Sequence, residues 1–417
     1  MTSPPPAGPP AGTPIPAGPL AGIRIIDITT IFLGPYATQM LGDMGADVIK
    51  IEAPPTGDST RWLGRARHPG MGGPFLNLNR NKRSLALDLK QDAARDALRR
   101  LIATSDVVVH NMRTSAIERL GFGYDAVAAI KPDIVYCAAQ GYGSAGPYRD
   151  RPAYDDALQV ESGFAKLFES TAGEPLLAPT IMVDKMVGVM TAQAIALALF
   201  HRERTGEGQL VEVPMFETLT SFLMVEHIYE RAFDPPLGPA GYKRVTTAAR
   251  KPYRTRDGYA CILPYTDRQW RGFFDIAGRS ELAKDPRFAD YQTRNEHVDV
   301  LYGLIAKVAP ERTTAEWLAL CADVGIPVAA ANEIGDLFDD EHLRAVGFFQ
   351  HHDHPSEGAT VLAGPPVAMS KSPASIRRPA PRLGQHGGEI LGELGYDDDQ
   401  IAAMRATGAV IGDNDQD

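Results

Sequence analysis

The 417-residue sequence predicts an α/β protein, with a doubly wound, Rossmann-like large domain and a smaller α+β domain. Three observations carry that expectation. Between residues 22 and 139, short β-branched runs alternate with helical stretches. The runs are nearly continuous in apolar residues, the pattern of parallel strands covered on both faces. Past a Pro-, Gly- and Ala-rich segment at 232–247, the pattern changes to a strand pair followed by several helices.

Taken in order, residues 23–29 read as a strand and 36–44 as a helix stopped near Gly45. Strands follow at 47–52 and 84–89. A helix at 92–103 carries Ala94, Leu98, Leu101 and Ile102 on one face. Two more strands are expected at 106–110 and 134–139, a long helix at 184–204 ending at Gly206, a strand at 210–213, and a helix at 215–230. In the second unit, strands 253–254 and 259–263 flank the turn Asp257-Gly258, and helices are expected at 267–277, 297–308 and 314–322. The Pro-rich stretch 365–384 leads back to the large domain, with helices at 389–394 and 399–406. This gives a Pro-rich tail at 1–20, a large domain at 21–231, a linker at 232–251, a small domain at 252–364, and a return segment at 365–417.

Composition excludes several function classes. The net charge of −10 argues against sequence-independent nucleic-acid binding, which needs a basic face. Cys137, Cys261 and Cys321 are odd in number and far apart, which fits neither a disulfide framework nor a zinc site, and points to the cytoplasm. The first nineteen residues hold eight prolines and no Lys or Arg, a polyproline-like tail rather than a targeting signal. The apolar run 186–200 is interrupted by Thr191 and Gln193 and is too short to span a bilayer, so no membrane partner is expected.

Several motifs fail on context. Gly141-Tyr142-Gly143-Ser144-Ala145-Gly146 follows a strand, but Pro147 comes next and no helix opens, so phosphate-on-helix geometry is missing. The run His351-His352-Asp353-His354 lacks helical metal-ligand spacing and reads as a polar loop, so no metal is expected. Arg80, Lys82 and Arg83 before a strand, with Lys90, Arg113 and Arg119 beyond strand ends, are candidate phosphate contacts. Asp184 is the most informative residue. An ionised carboxylate in a first helical turn lies in the positive end of the helix dipole and can attack a carbonyl to form an acyl intermediate. First-turn acids also occur for helix stability alone.

Read together, the segments resemble the class III CoA-transferases, the carnitine dehydratase/bile-acid-inducible (CaiB/BaiF) family. The pieces that carry the resemblance include Gly45-Ala46-Asp47-Val48-Ile49-Lys50-Ile51-Glu52, Gly57-Asp58, Asn81-Lys82-Arg83-Ser84, Asn111-Met112-Arg113, Arg119-Leu120-Gly121, Ser162-Gly163, Asp184 and Thr205-Gly206-Glu207-Gly208-Gln209. The resemblance implies an acyl-CoA:carboxylate CoA-transferase working as an interlocked homodimer. Coenzyme A and its thioesters are then substrates, and no tightly bound cofactor is needed. It further implies that Asp184 is the nucleophile, that Tyr154 and Asp155 shape the acyl pocket, and that CoA is held at Ile31, Phe32, Leu33, Leu87, Lys90, Asn111, Met112, Arg119 and Leu120.

The sequence departs from the formyl/oxalate branch of that family at Phe32, Ala53 and Pro152, where the branch carries Gln, Arg and Lys. It also lacks glycine in 245–250, where that branch has a flexible glycine run. The rival reading within the family is a 2-methylacyl-CoA racemase, which pairs the same Asp with a His thirty residues earlier. Here that position is Tyr154, whose ordinary pKa near 10 makes it a poor base at neutral pH. A CoA-binding subunit without turnover would be expected to lack Asp184.

Overall fold

A computed structural model describes residues 18–412; the Pro-rich segment through residue 17 and the last five residues lie outside it. The chain divides into two compact units. Among the described residues, one comprises 18–158, 179–220 and 341–412, the other 159–178 and 221–340.

The larger unit is built on a seven-stranded sheet. Its parallel strands are β1 (Arg24–Ile28), β2 (Asp47–Glu52), β3 (Lys82–Leu87), β4 (Val107–His110), β5 (Val135–Ala138) and β6 (Gln209–Glu212). They lie in the order β3-β2-β1-β4-β5-β6, the doubly wound arrangement. The two-residue strand Val410–Ile411 adds antiparallel to β3 at the edge. Strands β1 to β5 are buried on both faces, with Ile25, Ile26, Val48, Ile49, Leu85 and Val107–Val109 in the core, while the edge strand β6 is half exposed.

Two helices matter for the site. Leu33–Asp43 follows β1, and Met182–Thr205 packs across it. Their close approach depends on Gly188: a Cβ there would sit 2.7 Å from the Leu33 carbonyl oxygen. The long helix ends where Gly206 adopts φ +78°. At 24 residues it exceeds the apolar run read from sequence, and by length and composition it could cross a membrane. One stripe of the helix (Val183, Val187, Thr191, Ile195, Leu199) is nonetheless buried in the fold.

Buried charges lie on both faces of the sheet, since Lys82 and Arg83 are successive residues of one strand. Lys82 Nζ contacts Asp27 Oδ2 at 2.9 Å, the Pro35 carbonyl at 2.9 Å and Asn79 Oδ1 at 3.0 Å, which uses all three of its protons. Glu52 binds Arg61 in a two-pronged pair. Arg80 pairs with Asp43, and Arg83 with Asp47, Glu389 and Glu393. The expectation that Arg80, Lys82 and Arg83 reach a ligand phosphate is thereby corrected. They are buried because each finds carboxylates distant in sequence.

The smaller unit is α+β, as expected. Strands Tyr253–Arg254, Tyr259–Ile262 and Val328–Ala330 form an antiparallel sheet. Helices Asp267–Ile276, Val298–Val308 and Thr314–Val324 accompany it, two of them opened by capping boxes at Thr266/Gln269 and Thr313/Glu316. Trp270, Phe273, Phe274, Ile305 and Trp317 fill its core.

Boundaries differ from the sequence reading in three places. The smaller unit starts at 221 rather than 252 and also takes 159–178, while residues 341–364 join the larger unit. The linker read at 232–251 starts at the last residue of the helical turn Tyr229–Ala232 and contains the turn Lys243–Thr246. The polar run at 351–354 is not a loop. It forms strand Phe349–His354, paired with Gly358–Ala363, and His354 Nε2 lies 2.8 Å from the Ala380 carbonyl. Cross-strand backbone pairing, invisible in side-chain polarity, decides that element.

Candidate active site

In a doubly wound sheet, ligands bind beyond the carboxyl ends of the strands, where the strand order reverses. Here the reversal falls between β1 and β4. The segments leaving β1 (Thr30, Ile31), β4 (Asn111–Arg113) and β5 (Ala139–Gly141, then Arg149–Asp155) wall a cavity of about 510 Å³. Asp184 enters the same cavity from the first turn of the long helix.

Asp184 is half-buried. Its backbone N–H donates to Asp155 Oδ2 at 2.9 Å, and Asp155, at the start of helix Asp155–Glu161, is 8% exposed. Burial, then the nearby Asp155 charge, pushes the Asp184 carboxyl up to about 7. The helix-dipole argument predicted full ionisation, and this corrects it. A dipole contributes about 0.3–1 kcal/mol at a helix end, less than desolvation beside a second carboxylate. The group is thus poised near neutrality, where it can be an anion toward an electrophile or lose its charge when the site closes.

Eight of the twelve residues expected at the site line this cavity: Ile31, Leu33, Asn111, Met112, Arg119, Tyr154, Asp155 and Asp184. The other four do not. Leu87 is 1% exposed in the core beneath the sheet, paired with Val410. Leu120 caps helix Thr114–Arg119 and packs against that same core. Lys90 stands exposed on the turn after β3, its backbone N–H donating to Asp88 Oδ1. Phe32 precedes the first helix outside the cavity lining. The sequence places these residues near strand ends but not the direction in which each side chain leaves.

Sequence reasoning missed Gln140, Arg149, Arg151 and Met215, which also line the cavity. Arg149 Nε meets Asp150 at 3.3 Å on the surface, and the Arg151 guanidinium lies 4.4 Å over the Tyr148 ring. In the sequence, 141–146 fails as a dinucleotide motif because no helix opens after it. Its position just beyond the carboxyl end of a parallel strand was the available signal.

Comparisons with known proteins identify the family. A family model described as CoA-transferase family III matches residues 20–387. The chain belongs to CoA-transferase family III. Among its family III relatives, a succinate–glutarate CoA-transferase of Agrobacterium fabrum is 32% identical over 385 residues, covering 90% of this chain and 96% of its own. A formyl-CoA:oxalate CoA-transferase of Afipia carboxidovorans is 31% identical, covering 94% of this chain and 97% of its own. A solved CaiB/BaiF family structure from Brucella suis superposes with a TM-score of 0.77 at 30% identity, covering 91% of this chain and all of that one. The mixed α/β family III fold expected from sequence is therefore the fold of this chain.

Proposed function

We propose that this family III protein is an acyl-CoA:carboxylate CoA-transferase that works through a covalent Asp184 intermediate. The observation carrying the reading is the placement of Asp184, half-buried beside Asp155, in the cavity at the sheet's reversal point. A carboxylate oxygen of Asp184 attacks the donor thioester carbon. The C–S bond breaks, CoA leaves as thiolate, and a mixed anhydride forms. The thiolate then attacks the aspartyl carbonyl and releases the donor acid, leaving an aspartyl-CoA thioester. The acceptor carboxylate displaces the thiolate, which finally attacks the acceptor carbonyl, giving acceptor-CoA and free Asp184. The relatives' names, which pair CoA thioesters with dicarboxylic acids, support acids of that class as substrates. The active form in this reading is a cytoplasmic homodimer.

Racemisation is the weaker alternative, because it needs a second base opposite Asp184. Among the described residues no histidine lines the cavity, and Tyr154 lines it at the position where the racemase resemblance calls for a histidine. His110 is 1% exposed beside Tyr136, and burial lowers its pKa to about 4.

The test is intact-protein mass spectrometry after mixing with acyl-CoAs, including succinyl-CoA, with hydroxylamine trapping. The expected result is a hydroxylamine-sensitive adduct mapped to Asp184 and absent from Asp184→Ala. Exchange by Asp184→Ala at the wild-type rate would remove Asp184 from the mechanism. α-Proton exchange with a 2-methylacyl-CoA and no adduct would favour racemisation.

A further inference from the structure

The four residues between β1 and the first helix, Thr29 to Phe32, are held from outside at four backbone atoms. The Thr29 carbonyl accepts from Lys50 Nζ at 2.8 Å. The Thr30 N–H donates to Asn111 Oδ1 at 3.1 Å, and the Thr30 carbonyl accepts from Asn111 Nδ2 at 2.8 Å. The Ile31 N–H donates to Asp58 Oδ1 at 3.2 Å. Lys50 and Asp58 are themselves ion-paired at 2.9 Å, both side chains fully buried. Asp58 is fixed further by the Thr60 hydroxyl on one side and, through its own N–H, by Glu52.

What this holds is a strained residue. Ile31 has φ +71°, in the left-handed region that a β-branched side chain strongly disfavours. Such a conformation persists only where its surroundings impose it. The strain lies where it matters. Ile31 and Leu33 wall the cavity that holds Asp184, and Leu33's carbonyl is the surface against which Gly188, one turn beyond Asp184, closely packs.

We infer that Asn111 and the Lys50–Asp58 pair form a clamp that holds Ile31 in its left-handed conformation and so fixes the cavity wall beside Asp184. Asn111 is then a positioning residue: its oxygen and one amide proton are engaged by Thr30, rather than offered to CoA as the family resemblance implies. Lys50 and Asp58 act on the same loop from beneath. The inference rests on the transferase reading only for its kinetic readout. Its structural readout is independent, because the Ile31 amide is protected by the clamp whatever the reaction.

Asn111→Ala tests this best, since Asn111 is only partly buried. Asp58→Asn would leave the Lys50 charge buried without its partner and could prevent folding. In Asn111→Ala, amide exchange in a peptide covering residues 29–36 is expected to speed up at least tenfold. In the same variant kcat for CoA transfer should fall about tenfold, with the CoA dissociation constant within about twofold of wild type. Adding Ile31→Gly should recover much of the lost kcat, because glycine takes positive φ without a clamp. Ile31→Asn, which tolerates that region and keeps a side chain, is the companion rescue. Unchanged amide exchange in Asn111→Ala would overturn the clamp. So would a weakened CoA affinity with kcat intact, or double variants no faster than Asn111→Ala alone. If wild-type protein forms no aspartyl adduct, the transferase reading fails while the exchange result still judges the clamp.

Discussion

At the scale of single residues, Asp184 joins chemistry to stability. Because its pKa rises to about 7 on folding, the folded protein binds a proton that the unfolded chain releases near pH 4. The stability this group contributes is full below about pH 4 and is lost as pH climbs through 7. Asp184→Asn should therefore be indistinguishable from wild type in stability at pH 4. It should become progressively more stable toward pH 7 and hold a constant advantage above, at most about 4 kcal/mol. Urea unfolding across pH measures this, and an advantage that shrinks as pH rises would contradict the assignment. The reaction should show the opposite dependence, kcat/KM rising through an apparent pKa near 7 as the nucleophile ionises. Arg119 is a second residue-scale case. It lines the cavity and has no carboxylate partner among the described residues, so Arg119→Ala should weaken CoA binding about tenfold by calorimetry. Asp184 could be read from sequence because its surrounding motifs are distinctive. Lys82 could not, because its partner Asp27 lies 55 positions away and a buried ammonium looks like a surface one until the sheet is assembled.

At the scale of elements, the sequence identified the strands and helices well because their apolar periods differ. What it lacked was the distance between elements. Gly188 illustrates this: in the helix it reads as a mild flaw, yet it sets how near the Asp184 helix comes to Leu33. Gly188→Ala would gain about 1 kcal/mol of helix propensity and lose about 1–3 kcal/mol to overpacking against backbone that cannot swing aside. The net expectation is lower stability by denaturant titration with a larger loss of kcat. A stabilised, fully active variant would show that the close approach is unimportant. The strand Phe349–His354 escaped notice for a related reason. Its residues alternate too little in polarity to signal a strand, and its backbone partner begins only after a turn.

For the whole molecule, the larger unit leaves apolar side chains uncovered along the long helix: Val189, Met190, Leu197 and Phe200 are between 45% and 60% exposed. Such a stripe calls for a covering surface. Sedimentation is expected to find a particle of two 45.1 kDa chains, and a monomer at micromolar concentration would refute the dimer. The two-unit division was only partly legible. The sequence marks composition changes, but the return of 341–364 to the larger unit depends on contacts between segments hundreds of residues apart. That arrangement also dictates an order of events during synthesis. The strand Val410–Ile411 that completes the sheet edge beside β3 leaves the ribosome last, long after β3 itself. The smaller unit, finished by residue 340, can settle while its host still waits for that final strand. Throughout translation the nascent chain therefore carries an open β3 edge, the surface a chaperone would be expected to shelter.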